Sequence, residues 1–589
     1  MSIIYDSWME SHKKPFGALE IGEDININIE AISDVKEIYL ILETNEDIKK
    51  EIKMENKSNG IFTIDKYKFE KENIYFYYFK SIEGETLDVK YYGKSYDCGE
   101  CVEYHDISYI NKYQITVSRK TESPKWFKEG ILYHIFVDRF NRTGKINNPK
   151  KNSFIYANWE DTPMYIKNKE NEVIRWDFHG GNLKGIISKL NYLKGLGVTV
   201  IYLSPIFKSQ SNHKYDTGDY KTIDPMFGDE EIFKELIYKA SKKGINIILD
   251  GVFSHTGDDS IYFNKYGNYD SLGAYQSKSS KFFSWYNFKD YPNEYDCWWG
   301  VKSLPNVNEI ENSYMDYIIR DKDSVIKKWM NYGVKGWRLD VVDELPSKFL
   351  ETFKKETLNI DNESVIVGEV WEDASNKISY SERRKYFLGN QLNGVTGYVF
   401  KNIVVEFLKG NINSQDVYNR FMTIKENYPK DAFKSNLNLL GTHDTRRILT
   451  ELNEEKELLK LAVFIQMTFE GVPYVYYGDE AGLIGETDPD NRRTYPWENE
   501  DKDILNFYKK IIKERKNNKL LSSGETKFLK LSNQNILGYI RYIKTDKILV
   551  LINRSNVKEK IEIEGNEFIK KKLLITLDPK SHNIVKEIN

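Results

Sequence analysis

The sequence predicts an α/β fold: a (β/α)8 TIM barrel with an N-terminal β-sandwich, a small inserted domain after the third barrel strand, and a C-terminal β-sandwich. Three observations predict it. From Ile131 onward, apolar β-rich runs alternate with amphipathic helical segments, as a parallel sheet with crossover helices requires. Four of those runs end in carboxylates, Arg or His: DGVFSH from Asp250, GWRLDVVDE from Gly336, VGEVW from Val367 and GTHDT from Gly441. A parallel barrel builds its chemistry at such C-terminal strand ends. Finally, the chain on either side of the alternating region carries strand patterns alone.

Residues 1–122 hold the short β-branched or aromatic runs INIEAI, EIYLILE, IFTIDKYKF, NIYFYYFKS and KYQITVS, separated by Asn, Gly and charged turns. That pattern predicts the first sandwich, with Tyr75–Phe79 alternating between core and surface. The barrel occupies 123–517, entered through SPKWFKEG. Its predicted strands are ILYHIFVDRF, GVTVIYLSPIF, INIILDGVF, VKGWRLDVV, SVIVGEVW, VTGYVF, NLNLLGTHD and VPYVYYGDE. Segments such as LKGIISKLNYLKGLG and EEIFKELIYKASKKG, apolar at spacings of three and four, read as the helices between them. An irregular stretch at about 256–312, rich in Tyr, Trp, Asp, Gly and Ser, is too long for a plain connection and predicts the inserted domain. KILVLINRS, EKIEIEG and KKLLITL place the last sandwich at 518–589.

Composition narrows the function. With Lys+Arg 86 against Asp+Glu 89, the net charge of −3 offers no basic field for nucleic acid. No apolar run approaches the ~18–20 residues of a membrane span, and the start of the chain lacks a basic region followed by an apolar core. Three Cys in 589 residues argue against a disulfide scaffold and fit a reducing cytoplasm. The lone CxxC of Cys98 and Cys101 has no second pair to make a zinc site. A 14% aromatic share with 42 Tyr and 11 Trp suits stacking on flat, hydroxyl-rich ligands.

The strand ends point to a reaction. Arg338 and Asp340 are two apart and share one side of a strand; the guanidinium is expected to keep the carboxylate ionised, as a nucleophile requires. Glu369 ends the next strand among Val367, Val370 and Trp371, and such apolar surroundings are expected to raise its pKa toward that of a general acid. Two carboxyls driven apart in pKa on neighbouring strands fit glycoside hydrolysis. Adjacent strands lie ~4.8 Å apart, closer to the ~5–5.5 Å carboxyl separation of retaining enzymes than to the ~6.5–9.5 Å of inverting ones. An isolated His-Asp pair reads as a turn carboxylate with a satisfied histidine. At the end of a seventh strand, His443 and Asp444 read instead as a sugar donor and a third carboxylate. His255 is a further donor suited to sugar oxygens, and Asp250 reads as a support for Arg338 or a loop.

DGVFSH, GWRLDVVDE, GEVW and THD resemble the four ordered regions of the α-amylase family, glycoside hydrolase family 13. GVTVIYLSPIF, NHKYDTGDY, IDPMFG, SLPNVNE and GVPYVYYGDEAGL support the match. WFKEG and DPDNRRTYPW resemble more narrowly the neopullulanase, cyclomaltodextrinase and maltogenic amylase branch. The resemblance implies Asp340 as nucleophile, Glu369 as acid/base and Asp444 as transition-state stabiliser. It puts Arg338, His255, His443 and Tyr215 on the sugar at the cleavage site and Asp488 and Arg492 beyond it on the non-reducing side. Glu344 and Trp371 border the leaving group. It further implies a starch-binding-like N-terminal domain, a homodimer, and an α-glucan oligosaccharide or cyclodextrin as substrate, with no nucleic-acid or membrane partner. The reaction requires no cofactor. Calcium is an added option through Asn141, Asn147, Asp161 and nearby carbonyls. Two departures stand out: Ser254 where the family commonly has Asn, and LPNVN where the branch has MPKLN. The expected activity is retaining hydrolysis of α-1,4-glucosidic bonds in cyclodextrins, maltooligosaccharides, pullulan or starch, with some transglycosylation. The alternatives are a transferase or isomerase on the same scaffold, or an inactive glucan-binding module.

Overall fold

Eight short parallel strands surround the centre of the molecule in this computed structural model, which describes residues 2–44, 49–96, 98–146, 149–169, 172–565, 567–586 and 588. They are β1 (Leu132–Ile135), β2 (Val200–Leu203), β3 (Asn246–Gly251), β4 (Gly336–Leu339), β5 (Val365–Gly368), β6 (Gly394–Val395), β7 (Leu437–Leu439) and β8 (Val472–Tyr476). The sheet runs β6-β5-β4-β3-β2-β1-β8-β7, and a parallel bridge from Thr396 to Leu437 brings its two ends together. The helices between strands carry the expected signals. Leu183–Leu196 starts on the Asn182 side chain, which accepts from the Gly185 amide at 2.8 Å, and ends at Gly197 with φ 106°, where only glycine is unstrained. Asp229 caps Glu230–Lys242 in the same way.

The strands are shorter than the apolar runs that predict them, because the chain turns as soon as it leaves the barrel. The sixth differs most. Of VTGYVF only Val395 is in the strand, and Tyr398–Lys409 is a helix. Seven of its twelve residues are buried, so an apolar run too short to show a period belongs to a helix packed against the barrel, an ambiguity inherent in such runs. The stretch at 256–312 contains one short hairpin, Phe288–Asp290 with Glu294–Tyr295. Its Tyr262, Phe263, Trp285 and Tyr286 join the core of the barrel. A sheet the sequence did not announce, Ser153–Ile155, Ile166–Lys167 and Val173–Phe178, follows β1 and stands beside the mouth.

The N-terminal part is a five-stranded sheet facing a seven-stranded one, with Ile25, Ile27, Ile29, Phe62, Tyr77, Phe79 and Tyr113 between them. Tyr77 and Phe79 point inward as alternation predicts. Tyr78 faces outward yet is buried, covered by Ile41 and Ile110 in a small separate cluster. The C-terminal part pairs Glu525–Phe528, Ile536–Ile543, Asp546–Asn553 and Ser581–Val585, with a second pair Glu559–Ile563 and Leu573–Leu577.

A buried ion pair ties the first sandwich to the barrel. Lys13 Nζ donates to Glu426 Oε1 at 2.6 Å, with the two side chains 0% and 2% exposed, and Trp8 Nε1 donates to Oε2 at 2.9 Å. Burial alone would push the Glu426 carboxyl up; the charges of Lys13 and Lys94 bring it below its usual range. Glu426→Gln leaves an ammonium buried without its anion, and should cost about 3–5 kcal/mol, read as a lower urea midpoint. A loss under ~1 kcal/mol would remove this pair from the contacts that hold the two parts together.

Candidate active site

The chain places its charged groups where each strand runs out of partners. Asp250 lies near the end of β3, opposite Arg338 in β4; Leu339 of β4 pairs with Gly368 of β5. Asp340 and Glu369 therefore leave neighbouring strands at the same level, immediately after those two residues. Gly368 lets the two strand ends approach, since a Cβ there would sit 2.6 Å from Leu392 Cδ1 and 2.9 Å from Val342 Cγ2 and would push those side chains aside.

Arg338 sits at the centre. Its Nη1 donates to Asp250 Oδ1 and Oδ2 at 2.9 and 3.1 Å and to Asp340 Oδ1 at 2.7 Å, while Nη2 lies 2.8 Å from Glu369 Oε2. One guanidinium thus serves three carboxylates, all nearly fully buried. Asp250 also accepts from the Tyr202 hydroxyl, and from Tyr215 at 2.9 Å. The expectation that Arg338 holds Asp340 low is corrected by this sharing. Burial pushes the Asp340 carboxyl up, the charges of Glu369 and Asp250 add to it, and Arg338 offsets only part.

Glu369 differs from its expected surroundings as well. Besides Arg338, its Oε2 accepts from the Val341 amide at 3.0 Å and its Oε1 from Trp371 Nε1 at 3.1 Å, so donors and not apolar walls orient it. Val341 presents that amide from a left-handed backbone, φ 33°, which costs a β-branched residue about 1–3 kcal/mol.

From the loop after β7, His443 Nε2 lies 3.2 Å from Asp444 Oδ2, and the His443 ring stacks on Tyr215 at 5.2 Å and 4°. Asp444 keeps 32% of its side chain open; the cleft around it and the charge of Glu369 nonetheless hold its carboxyl above the usual range. Arg492 reaches Asp444 Oδ1 at 3.4 Å, Asp488 Oδ1 at 3.0 Å and the His443 carbonyl at 2.9 Å. At the opposite side Trp371 stacks on Tyr398 at 4.0 Å. Glu344 accepts from Trp299 Nε1 at 2.7 Å and borders a cavity of about 820 Å³ with Tyr380 and Glu309.

His255 is the exception among the sugar-facing candidates. Its Nε2 pairs with the Tyr215 carbonyl at 3.1 Å and its Nδ1 with Ser254 Oγ at 3.0 Å, so both ring nitrogens are engaged within the protein. Of the calcium candidates, Asn141 donates to the Gly185 carbonyl and Ser188, and Asp161 accepts from Asn158; Asn147 lies outside the described residues. Among the described residues, no three His, Cys, Asp or Glu stand together as a metal cage.

Sequence reasoning missed the inner layer. His134 of β1 is fully buried, bonded to Ser204 Oγ at 2.7 Å and Tyr474 hydroxyl at 2.6 Å, and stacked on Tyr202. The signal was present, because His134, Tyr202, Asp250 and Arg338 each break an apolar strand at an inward position. It also missed Tyr165, whose hydroxyl donates to Asp488 Oδ1 at 2.7 Å, and Trp176, edge-on to His213; Trp176 lies in the unannounced sheet after β1, and Tyr165 just before its strand Ile166–Lys167.

Residues 134–500 match the model of the alpha amylase catalytic domain. A cyclomaltodextrinase of Thermoanaerobacter pseudethanolicus is 33% identical over 94% of this chain and 95% of its own. An amylopullulanase of Thermoanaerobacterium saccharolyticum is 36% identical over 95% of this chain; the chain spans only about half the length of that relative, 49%. Among solved structures, the cyclic alpha-maltosyl-(1→6)-maltose hydrolase from Arthrobacter globiformis matches with a TM-score of 0.68 at 25% identity, over 79% of this chain and 99% of that one.

Replacing Arg338 by Met removes the charge that Asp250, Asp340 and Glu369 share, at a cost of about 3–5 kcal/mol at pH 7. Asp340 already has a raised carboxyl, and without the guanidinium it rises further. A carboxyl raised in the folded state binds protons that the unfolded chain does not, so stability falls as pH climbs above the unfolded value of about 3.9. The deficit of Arg338→Met should therefore shrink from pH 7 to pH 5 in paired denaturation curves. Equal deficits at both would show that the three carboxylates do not compete for one cation.

Proposed function

The chain belongs to the alpha-amylase catalytic-domain family, and from that premise we propose that it is a retaining glycosidase of α-1,4-glucosidic bonds. Its substrates are cyclodextrins, maltooligosaccharides, pullulan or starch. The observation that carries the reading is the sharing of Arg338 by Asp340 and Glu369, which keeps two carboxyls on adjacent strand ends within reach of one glycosidic bond.

Asp340 attacks the anomeric carbon as its carboxylate, the form that Arg338 stabilises, while Glu369 gives its proton to the departing glycosidic oxygen. The bond to the leaving sugar breaks as the ester to Asp340 forms. Water, deprotonated by the same Glu369, then attacks the anomeric carbon, releases Asp340 and restores the α configuration. Asp444 faces the ring from the loop after β7 and balances the positive charge that develops on it. Arg492 and Asp488 extend the site toward the non-reducing end; Trp371 and Glu344 flank the leaving group. A cytoplasmic place and a homodimer belong to this reading. The dimer is supported by apolar side chains left exposed on the N-terminal sandwich, among them Val89 and Tyr109.

Glu369→Gln should lower turnover by about 10²–10⁴-fold while oligosaccharide binding survives, and the first product of the parent enzyme should be the α anomer by polarimetry or NMR. A β anomer, or a loss below about tenfold, would end this mechanism. Sedimentation at micromolar concentration should show twice the chain mass of 69.4 kDa; a single species at that mass would remove the dimer.

A further inference from the structure

The turn that delivers Tyr215 is built on a buried lysine. Lys214 is 0% exposed. Its Nζ lies 3.0 Å from Asp224 Oδ2 and donates to the Ser211 carbonyl at 2.7 Å, between the rings of Phe178 and Phe227 at 5.1 and 4.8 Å. Asp224 is equally buried and is shared with Lys150 Nζ at 2.7 Å and the Ser209 amide at 3.2 Å. Lys214 holds a left-handed backbone, φ 67°, and its amide donates to Ser211 Oγ at 2.8 Å. The next residue is Tyr215, whose hydroxyl reaches Asp250 and whose ring stacks on His443.

A fully buried ammonium costs several kcal/mol unless its partners are fixed, and these partners fix one turn. Lysine sites of this kind are candidates for function when they border a cleft. We propose that Lys214 is a positioning residue: anchored to Asp224 and Ser211, it holds Tyr215 against Asp250 and so sets the affinity for the sugar ring at the cleavage site. The proposal rests on the glycosidase reading, in which Tyr215 stacks on that ring. Burial brings the Lys214 ammonium down to about 8, with Asp224 and Asp216 raising it and Lys150 lowering it. The anchor is then charged at neutral pH and lost as pH rises through that value.

The test is a double-mutant cycle on hydrolysis of β-cyclodextrin, with kcat and KM measured for Lys214→Met, Tyr215→Ala and both together. Lys214→Met should raise KM about tenfold with kcat changed less, and the double variant should be no worse than Tyr215→Ala. Losses that multiply, or an unchanged KM in Lys214→Met, overturn the proposal. A Tyr215→Ala enzyme with parental kinetics overturns the stacking reading along with it, whereas multiplying losses leave that reading intact. Should Lys214→Met not fold, Asp224→Asn carries the test. Removing that anion loosens the same anchor, so Asp224→Asn should raise KM about as much as expected for Lys214→Met and add nothing to Tyr215→Ala. An unchanged KM in Asp224→Asn overturns the proposal.

Discussion

One guanidinium among three carboxylates is the constraint on which the site depends. Arg338 cannot neutralise Asp250, Asp340 and Glu369 together, and water is largely excluded from all four. Two of the three carboxylates also have neutral donors or a backbone amide nearby: Tyr202 and Tyr215 on Asp250 Oδ2, Val341 and Trp371 on the two oxygens of Glu369. Those donors come from β2, the loop that carries Tyr215, and the strand ends of β4 and β5.

The rest of the molecule can be read as support for that closure. Short parallel strands with an inward layer of His134, Tyr202, Tyr474 and Tyr476 fill the barrel beneath the charges with rings and hydroxyls. On the outside, the first sandwich is locked to the helix Ser414–Asn427 by Glu426. The last packs on the barrel through Arg541, which donates to the Thr468 carbonyl at the end of the helix Lys456–Thr468, beside Arg515 of the barrel's own helix Lys502–Asn517, which donates to the Met467 and Phe469 carbonyls. Burial lowers both guanidinium groups, yet their geometry satisfies backbone acceptors that a helix end otherwise leaves open.

Much of this was legible in the sequence because the informative residues interrupt strong patterns. A carboxylate or arginine inside an apolar strand is costly, so its presence at Asp250, Arg338 and Glu369 announced a site before any coordinates. The extent of the sixth strand was not legible, since two residues of strand followed by an apolar helix carry no period to separate them. Nor was the state of the carboxyls. Whether Arg338 lowers Asp340 depends on how many other acids claim it, which only the tertiary arrangement decides. Tyr165 and Trp176 stayed hidden because they lie in a stretch with no repeated spacing. The engagement of His255 with a backbone carbonyl is likewise a matter of local folding that the residue type does not announce.

Val341 links backbone shape to the aim of the Glu369 carboxyl. A branched side chain forced into a mirror-handed twist would relax if it were free, and relaxation would swing its N–H away from Glu369. The closing of the β4 and β5 ends against each other keeps it cocked. The orientation of the Glu369 carboxyl is thus tied to the integrity of the two strands beneath it, so that a barrel loosened at this corner would lose its aim before it lost its fold.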